Sequence, residues 1–270
     1  LVETAVAKRI AHLVNESQNL PWDKHEESAF TSALAELPYE LTDMQEEAVR
    51  TSLNNKVSLI TGGAGTGKTT ITRTVLKAYD SLGYNITAVA LSGRAAMRLH
   101  QSIGFKTSTI AKFLRHDHLD DYGEDGDEHK HVLVIDEASM VCITSMYRII
   151  NHISINCRLL FVGDPHQLPP IGPGLVLSEL DSVESIKKTH LDIVKRQEAT
   201  SGIPEYSLSI REGRIPESLS TKAITFHDLD SYQAAIDICL DDPENSITIA
   251  ATRTSVDELN FGLQKALNSD

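Results

Sequence analysis

Eight consecutive residues carry the strongest chemical signal in this 270-residue chain. Gly62-Gly63-Ala64-Gly65-Thr66-Gly67-Lys68-Thr69 follows the pattern G-x-x-x-x-G-K-[ST]. Glycines let a loop turn so that successive backbone N–H groups converge, and a helix beginning at the loop's end adds the positive end of its dipole. Such a cradle suits phosphate. Lys68 is placed to reach the β- and γ-phosphates of a nucleoside triphosphate, and the Thr69 hydroxyl suits Mg²⁺. Thr70, in the first helical turn, is counted with the loop.

A second constellation is Val132-Leu133-Val134-Ile135-Asp136-Glu137, an apolar run that delivers two carboxylates at its C-terminal end. Asp136 suits the Mg²⁺ shell, and Glu137 suits orienting and deprotonating a water. Two acids after a strand are unremarkable alone. Joined to a phosphate loop on one parallel sheet, they read as the other half of a triphosphate-hydrolysing site. A carboxylate beside the metal ligand favours a hydrolase over a phosphotransferase. Leu91-Ser92-Gly93 has the look of a transporter-ATPase signature but continues as Arg94-Ala95-Ala96 and lies far upstream of Asp136. The chain has no Asn-Lys-x-Asp guanine signature, which argues against a GTPase.

These residues need a scaffold, and the patterning supplies one. Short apolar runs at Val57–Ile60, Ile86–Leu91, Val132–Ile135 and Leu159–Val162 read as buried strands. Amphipathic segments at Lys68–Asp80, Arg94–Ile103 and Ser145–Ile153 read as the helices between them. Strands alternating with helices build right-handed βαβ units and a parallel sheet. Residues 1–40 read as a small helical segment, with Val6, Ile10, Leu13 and Val14 at helical spacing and Pro38 near its end. Ser207–Arg211, Ile224–Phe226, Tyr232–Leu240, Ile247–Ala250 and Val256–Leu267 repeat the alternation as the start of a second α/β domain, with strands expected at 224–226 and 247–250.

Charge is divided unevenly. The chain carries a net −13, which ordinarily argues against a nucleic-acid partner. Yet Lys56 to Arg115 holds nine Lys or Arg against one acid, Asp80, enough for a local basic groove. Arg115–Lys130 is the reverse, with seven acids and two basic residues, and reads as an exposed insertion. No apolar run is long enough for a membrane helix, and residues 1–11 lack a basic run before an apolar block. Cys142, Cys157 and Cys239 lack disulfide or zinc spacing. The expectation is a cytoplasmic protein with no membrane partner.

Read together, the motifs resemble those of RecD-like DNA helicases, a superfamily 1 group that moves 5′ to 3′ on single strands. The resemblance rests on Leu41-Thr42-x-x-Gln45-x-x-Ala48-Val49, the loop Thr61–Thr69, Gly93-Arg94-Ala95-Ala96, Thr109-Ile110, Asp136-Glu137-Ala138-Ser139-Met140 and Gly163-Asp164-Pro165-x-Gln167-Leu168-Pro169, in that order. It continues through Gly172-Pro173-Gly174, Lys195-Arg196-Gln197 and Ser201-Gly202-Ile203. It implies a P-loop NTPase with a RecA-like parallel sheet flanked by helices. The motor domain would span 41–190, with the 115–130 insertion as a strand-separating pin, and a partial second RecA-like domain would span 191–270.

The resemblance also assigns roles. Gln45 would read adenine. Gln167 and Arg196 would contact the γ-phosphate, with Arg196 reaching in from the second domain as a charge-stabilising finger. Ser92, Gly93, Arg94 and Thr109 would line the single-strand path, which coincides with the basic stretch. Phe105 and Phe113 read as core residues, with base stacking as the alternative. The implied ligands are ATP, Mg²⁺ and single-stranded DNA, with other DNA-repair proteins as further partners. Relatives usually have Pro-Thr where this chain has Leu91-Ser92 and a His where it has Ala111. The RecD subunit of RecBCD (exodeoxyribonuclease V) carries long insertions near these positions, so a stand-alone type is the nearer match. The chain ends before the family's last two motifs, so the expectation is an N-terminal motor portion with weak activity on its own. The alternatives are the helicase part of a conjugative relaxase, or a non-catalytic ATP-binding module of a DNA-repair complex.

Overall fold

A computed structural model of the protein describes residues 1–17, 22–116, 130–192, 202–228 and 232–268. Two compact units are present, Leu1–Gln197 and Glu198–Asp270.

The first unit is built on six strands: β1 (Val57–Gly62), β2 (Asn85–Ala90), β3 (Thr107–Thr109), β4 (His131–Ile135), β5 (Arg158–Gly163) and β6 (Lys187–Leu191). They form one sheet in the order β3-β2-β4-β5-β1-β6, every pairing parallel. Strands buried on both faces must be apolar on both, and the side-chain alternation sorts them into two cores. Leu59, Leu133, Ile135, Leu159 and Phe161 face one side, while Ile60, Val132, Val134, Leu160 and Val162 face the other.

On the first side lie α1 (Val2–Ser17), α6 (Ile110–His116), α7 (Ile143–Ile150) and α8 (Val176–Ser182). The stripe Val6, Ile10, Leu13 and Val14 seats α1 there, beside Met146, Ile149 and Ile150 of α7. On the second side lie α2 (Lys24–Ala35), α3 (Asp43–Asn54), α4 (Lys68–Ser81) and α5 (Gly93–Ile103). Asp23 and Thr42 start α2 and α3 through capping boxes closed by Glu26 and Gln45. This is the RecA-like α/β fold. Phe113 is fully buried, edge-on to His152 at 5.0 Å between ring centroids, so it belongs to the core and cannot stack on a base.

Two strands escape sequence reading. β3 is three residues long, and β6 (Lys-Lys-Thr-His-Leu) is polar because it is the edge strand beside β1, with Lys187 and Lys188 exposed.

The second unit contains α9 (Ile203–Arg211), α10 (Gln233–Asp241) and α11 (Arg253–Leu267). The strands expected at 224–226 and 247–250 are not formed; both segments are irregular. Ile247 and Ile249 are 85% and 86% exposed. A strand needs a neighbour to satisfy its backbone N–H and C=O groups, and none of the described segments of this unit provides one.

Candidate active site

The phosphate loop joins β1 to α4 at the C-terminal edge of the sheet, where ligands bind in open parallel sheets. Gly65 (φ 79°) and Gly67 (φ 92°) take left-handed conformations that residues with a Cβ rarely adopt. Thr66 is buried and donates its hydroxyl to Gly63 O at 3.0 Å, so its side chain braces the loop from within. Lys68 Nζ donates to Gly62 O at 2.7 Å and Gly63 O at 2.8 Å, curling the ammonium over its own loop.

Gln45 is fastened at both ends. Its Oε1 accepts from Thr42 N at 3.2 Å, and its Nε2 donates to Thr66 O at 3.4 Å. It therefore ties the start of α3 to the phosphate loop. A side chain at position 67 would meet Nε2 at 2.9 Å, a second reason for glycine there.

Opposite the loop, β4 ends in the two carboxylates. Asp136 N donates to Val89 O at 2.9 Å, which pins the strand end to β2. Glu137 then turns through φ 52°, ψ 42°, and is the one non-glycine residue with positive φ among the described residues. A Glu in this region carries backbone strain of about 1 kcal/mol. The turn continues as the short 3-10 segment Ala138–Met140, packed tightly on the end of β5. A Cβ on Gly163 would lie 2.9 Å from Leu177 Cδ2, 3.2 Å from Ala138 N and 3.3 Å from Ser139 N. Glycine at 163 is what lets the two strand ends approach.

Loop and turn face each other across a cleft of about 720 Å³. Its lining includes Ala64, Gly65, Gly67, Lys68, Thr69, Thr70, Asp136, Glu137 and Gln167. Gly62, Gly63, Thr66 and Gln45 stand behind this lining. Burial, reinforced by the neighbouring Glu137 charge, raises the Asp136 carboxyl to about 6. A carboxylate in such a place favours a cation partner, and the Thr69 hydroxyl supplies a second hard oxygen. The donor set fits Mg²⁺.

Residues 40–228 match a protein family described as AAA domain. Over 184 residues the chain is 32% identical to the ATP-dependent RecD2 DNA helicase of Deinococcus radiodurans, covering 65% of this chain and 24% of that protein. Over 168 residues it is 36% identical to the RecBCD enzyme subunit RecD of Haemophilus influenzae, covering 52% of this chain and 26% of that one. The chain belongs to the AAA-domain family, and within it is similar to RecD helicases. It spans about a quarter of the length of these RecD relatives. A crystal structure of the Pif1 helicase from Candida albicans shares the fold, with a TM-score of 0.50 and 20% identity over 82% of this chain and 61% of that one.

In this RecD-like chain the residues expected on the strand path lie at the same sheet edge. Ser92 caps α5, its hydroxyl accepting from Ala95 N at 3.2 Å, and Thr109 accepts from Lys112 N at 3.2 Å at the start of α6. The β2–β3 register sets Ala90 beside Thr109, which brings both capping turns together. Gly93 and Arg94 are exposed there. Both hydroxyls hold a helix start as acceptors and keep a proton to donate. Arg196 lies outside the described residues, as do residues 117–129 of the expected pin.

Sequence reading missed one wall of the cleft. Ala95, Arg98, Leu99 and Ser102 line it from α5. Their spacing of three, four and seven marks a helix face in the sequence, where Arg98 stands out only as one charge of the basic stretch.

Proposed function

We propose that this chain is the motor portion of an ATP-dependent DNA helicase that binds ATP–Mg²⁺ and moves 5′ to 3′ on single-stranded DNA. The observation that carries this reading is the cleft in which Lys68 and Thr69 face Asp136, Glu137 and Gln167. The RecD relatives support the DNA substrate and the coupling of hydrolysis to movement.

The residues divide the work as follows. The loop's N–H groups and the N-terminus of α4 hold the phosphates, and Lys68 exchanges its two loop carbonyls for β- and γ-phosphate oxygens. Thr69 and Asp136 would hold Mg²⁺, and the ion would supply neutralisation of charge on the phosphate oxygens. Glu137, exposed on its strained turn, orients a water and accepts its proton on a carboxylate oxygen. Gln167 donates to the terminal phosphate. Arg196 would add charge there, and Gln45 would meet the adenine only on releasing Thr42 N and Thr66 O.

The test is titration of a fluorescent non-hydrolysable ATP analogue with Mg²⁺, with and without a short single-stranded oligonucleotide. Saturable binding lost in Lys68→Ala and altered by DNA supports the reading. Binding indifferent to Lys68 overturns it.

A second reading has its own support. The conjugal transfer protein TraA of Agrobacterium fabrum is 29% identical over 167 residues, covering 61% of this chain and 14% of that protein. If the full-length product nicks transfer-origin DNA, this motor belongs to a conjugative relaxase.

A further inference from the structure

We infer that Arg98, on α5, contacts the terminal phosphate of the bound nucleotide. This goes beyond the motif residues above, and it rests on reading the cleft as a nucleoside triphosphate site.

An exposed arginine on a helix is ordinarily a solvated charge. Arg98 differs in where the fold holds it. Leu99 and Ile103 are buried in the core shared with α4, so the backbone of α5 is fixed beside the phosphate-loop helix. Ala95, three residues before Arg98, and Ser102, four after it, lie on the same cleft wall. Both are small, so the guanidinium has an open approach between them.

The end of the cleft is also defined. Arg98 lines the same cleft as the phosphate loop and as Thr69, Thr70, Asp136, Glu137 and Gln167, the residues assigned to the metal and the attacked phosphate. Gln45 is not among the lining residues. Arg98 is therefore placed at the γ-phosphate end rather than the base end.

Charge points the same way. Among the described residues no carboxylate lies within ion-pair distance of Arg98. The facing Asp136 and Glu137 are committed to metal and water, and a triphosphate brings several negative charges between them and Lys68. A guanidinium offers paired N–H donors that match phosphate oxygens, and it neutralises charge that one lysine leaves over. Arg98 would supply this independently of Arg196.

The experiment measures the affinity of the chain for a fluorescent non-hydrolysable ATP analogue, for the matching ADP analogue and for a labelled single-stranded oligonucleotide. The proteins are wild type, Arg98→Gln, Arg98→Lys and Lys68→Ala. The expected result for Arg98→Gln is about tenfold weaker ATP-analogue binding. The ADP analogue should change by less than threefold, oligonucleotide affinity should stay within twofold, and Arg98→Lys should recover part of the loss. Because Arg98 is exposed, its variants should unfold at the wild-type temperature.

Unchanged ATP-analogue affinity in Arg98→Gln would falsify the assignment. An equal loss for both nucleotides also overturns it, since the contact is then not to the terminal phosphate. A loss confined to the oligonucleotide overturns it as well and moves Arg98 to the strand path. Failure of wild type to bind nucleotide, or indifference to Lys68→Ala, marks failure of the site reading itself and removes the Arg98 contact with it.

Discussion

The two walls of the cleft are made in opposite ways. The phosphate loop is locally encoded: left-handed glycines at 65 and 67, the Thr66 hydroxyl on Gly63 O and the Lys68 ammonium on Gly62 and Gly63 all lie within seven residues. The carboxylate turn is imposed from outside. Glu137 holds a left-handed conformation that its own residue type disfavours, and Asp136 is partly buried beside a like charge. What maintains that turn is remote in sequence: Val89 O on the Asp136 amide and the bare Cα of Gly163 under residues 138–139. A local motif can be changed with little effect on stability, whereas an imposed one stores cost that substitution can release.

Substitutions test this contrast, and the largest effect belongs to the loop. Lys68→Ala should weaken ATP-analogue binding by about 100-fold, the value of about 3 kcal/mol of charge-assisted hydrogen bonding. It should leave the unfolding temperature nearly unchanged, because the carbonyls it releases can turn to water. Parallel binding titrations and thermal melts check both halves. A large loss of stability would mean that the loop is not locally self-sufficient.

Next is Asp136→Asn, measured without metal. The folded carboxyl is raised to about 6 from the ordinary 3.8, so the folded chain retains a proton that the unfolded chain has lost. Stability is therefore full below pH 4 and falls as pH rises through 6. Asparagine should remove that fall and make the variant up to about 3 kcal/mol more stable at pH 8 than wild type. At pH 4 little of that difference should remain. Urea unfolding at both pH values is the measurement, and equal gains at both would disprove the burial argument.

A smaller effect of the opposite sign is expected from Gly163→Ala. Its methyl group would push Leu177 and the backbone amides of 138 and 139, destabilising the protein by about 1–3 kcal/mol in urea unfolding. Nucleotide hydrolysis should fall with it, because the turn carrying Glu137 is displaced. The smallest effect is for Glu137→Asn. Asparagine tolerates left-handed backbone, so stability should rise by about 0.5–1 kcal/mol while hydrolysis is lost. A decrease in stability would show that the strain at Glu137 is not real.

Much of this was legible in the sequence. The four central strands and the helices that follow β1 and β2 stand out because burial on both faces demands continuous apolar runs, and helices demand their own period. The phosphate loop and the Asp136-Glu137 pair are legible for a related reason: each needs particular residue types at adjacent positions. Edge strands β3 and β6 were not legible, since an edge position relaxes the demand for apolar residues.

Local chemistry is therefore written in the residue order: a loop able to hold phosphate, a strand ending in two acids, and an alternation that makes a parallel sheet. Tertiary structure alone decided which residues share the cleft and in what backbone state. It turned Gln45 inward as a tie between α3 and the loop, and it brought Arg98 into the cleft that Asp136 also lines. It also separated two similar runs. Ile86-Thr87-Ala88-Val89-Ala90 became β2 between two neighbours, whereas Ile247-Thr248-Ile249-Ala250 remains irregular and exposed. The reason is physical: a strand's hydrogen bonds, a charge's burial and a residue's approach across a cleft all depend on groups distant in the chain, which no local pattern contains.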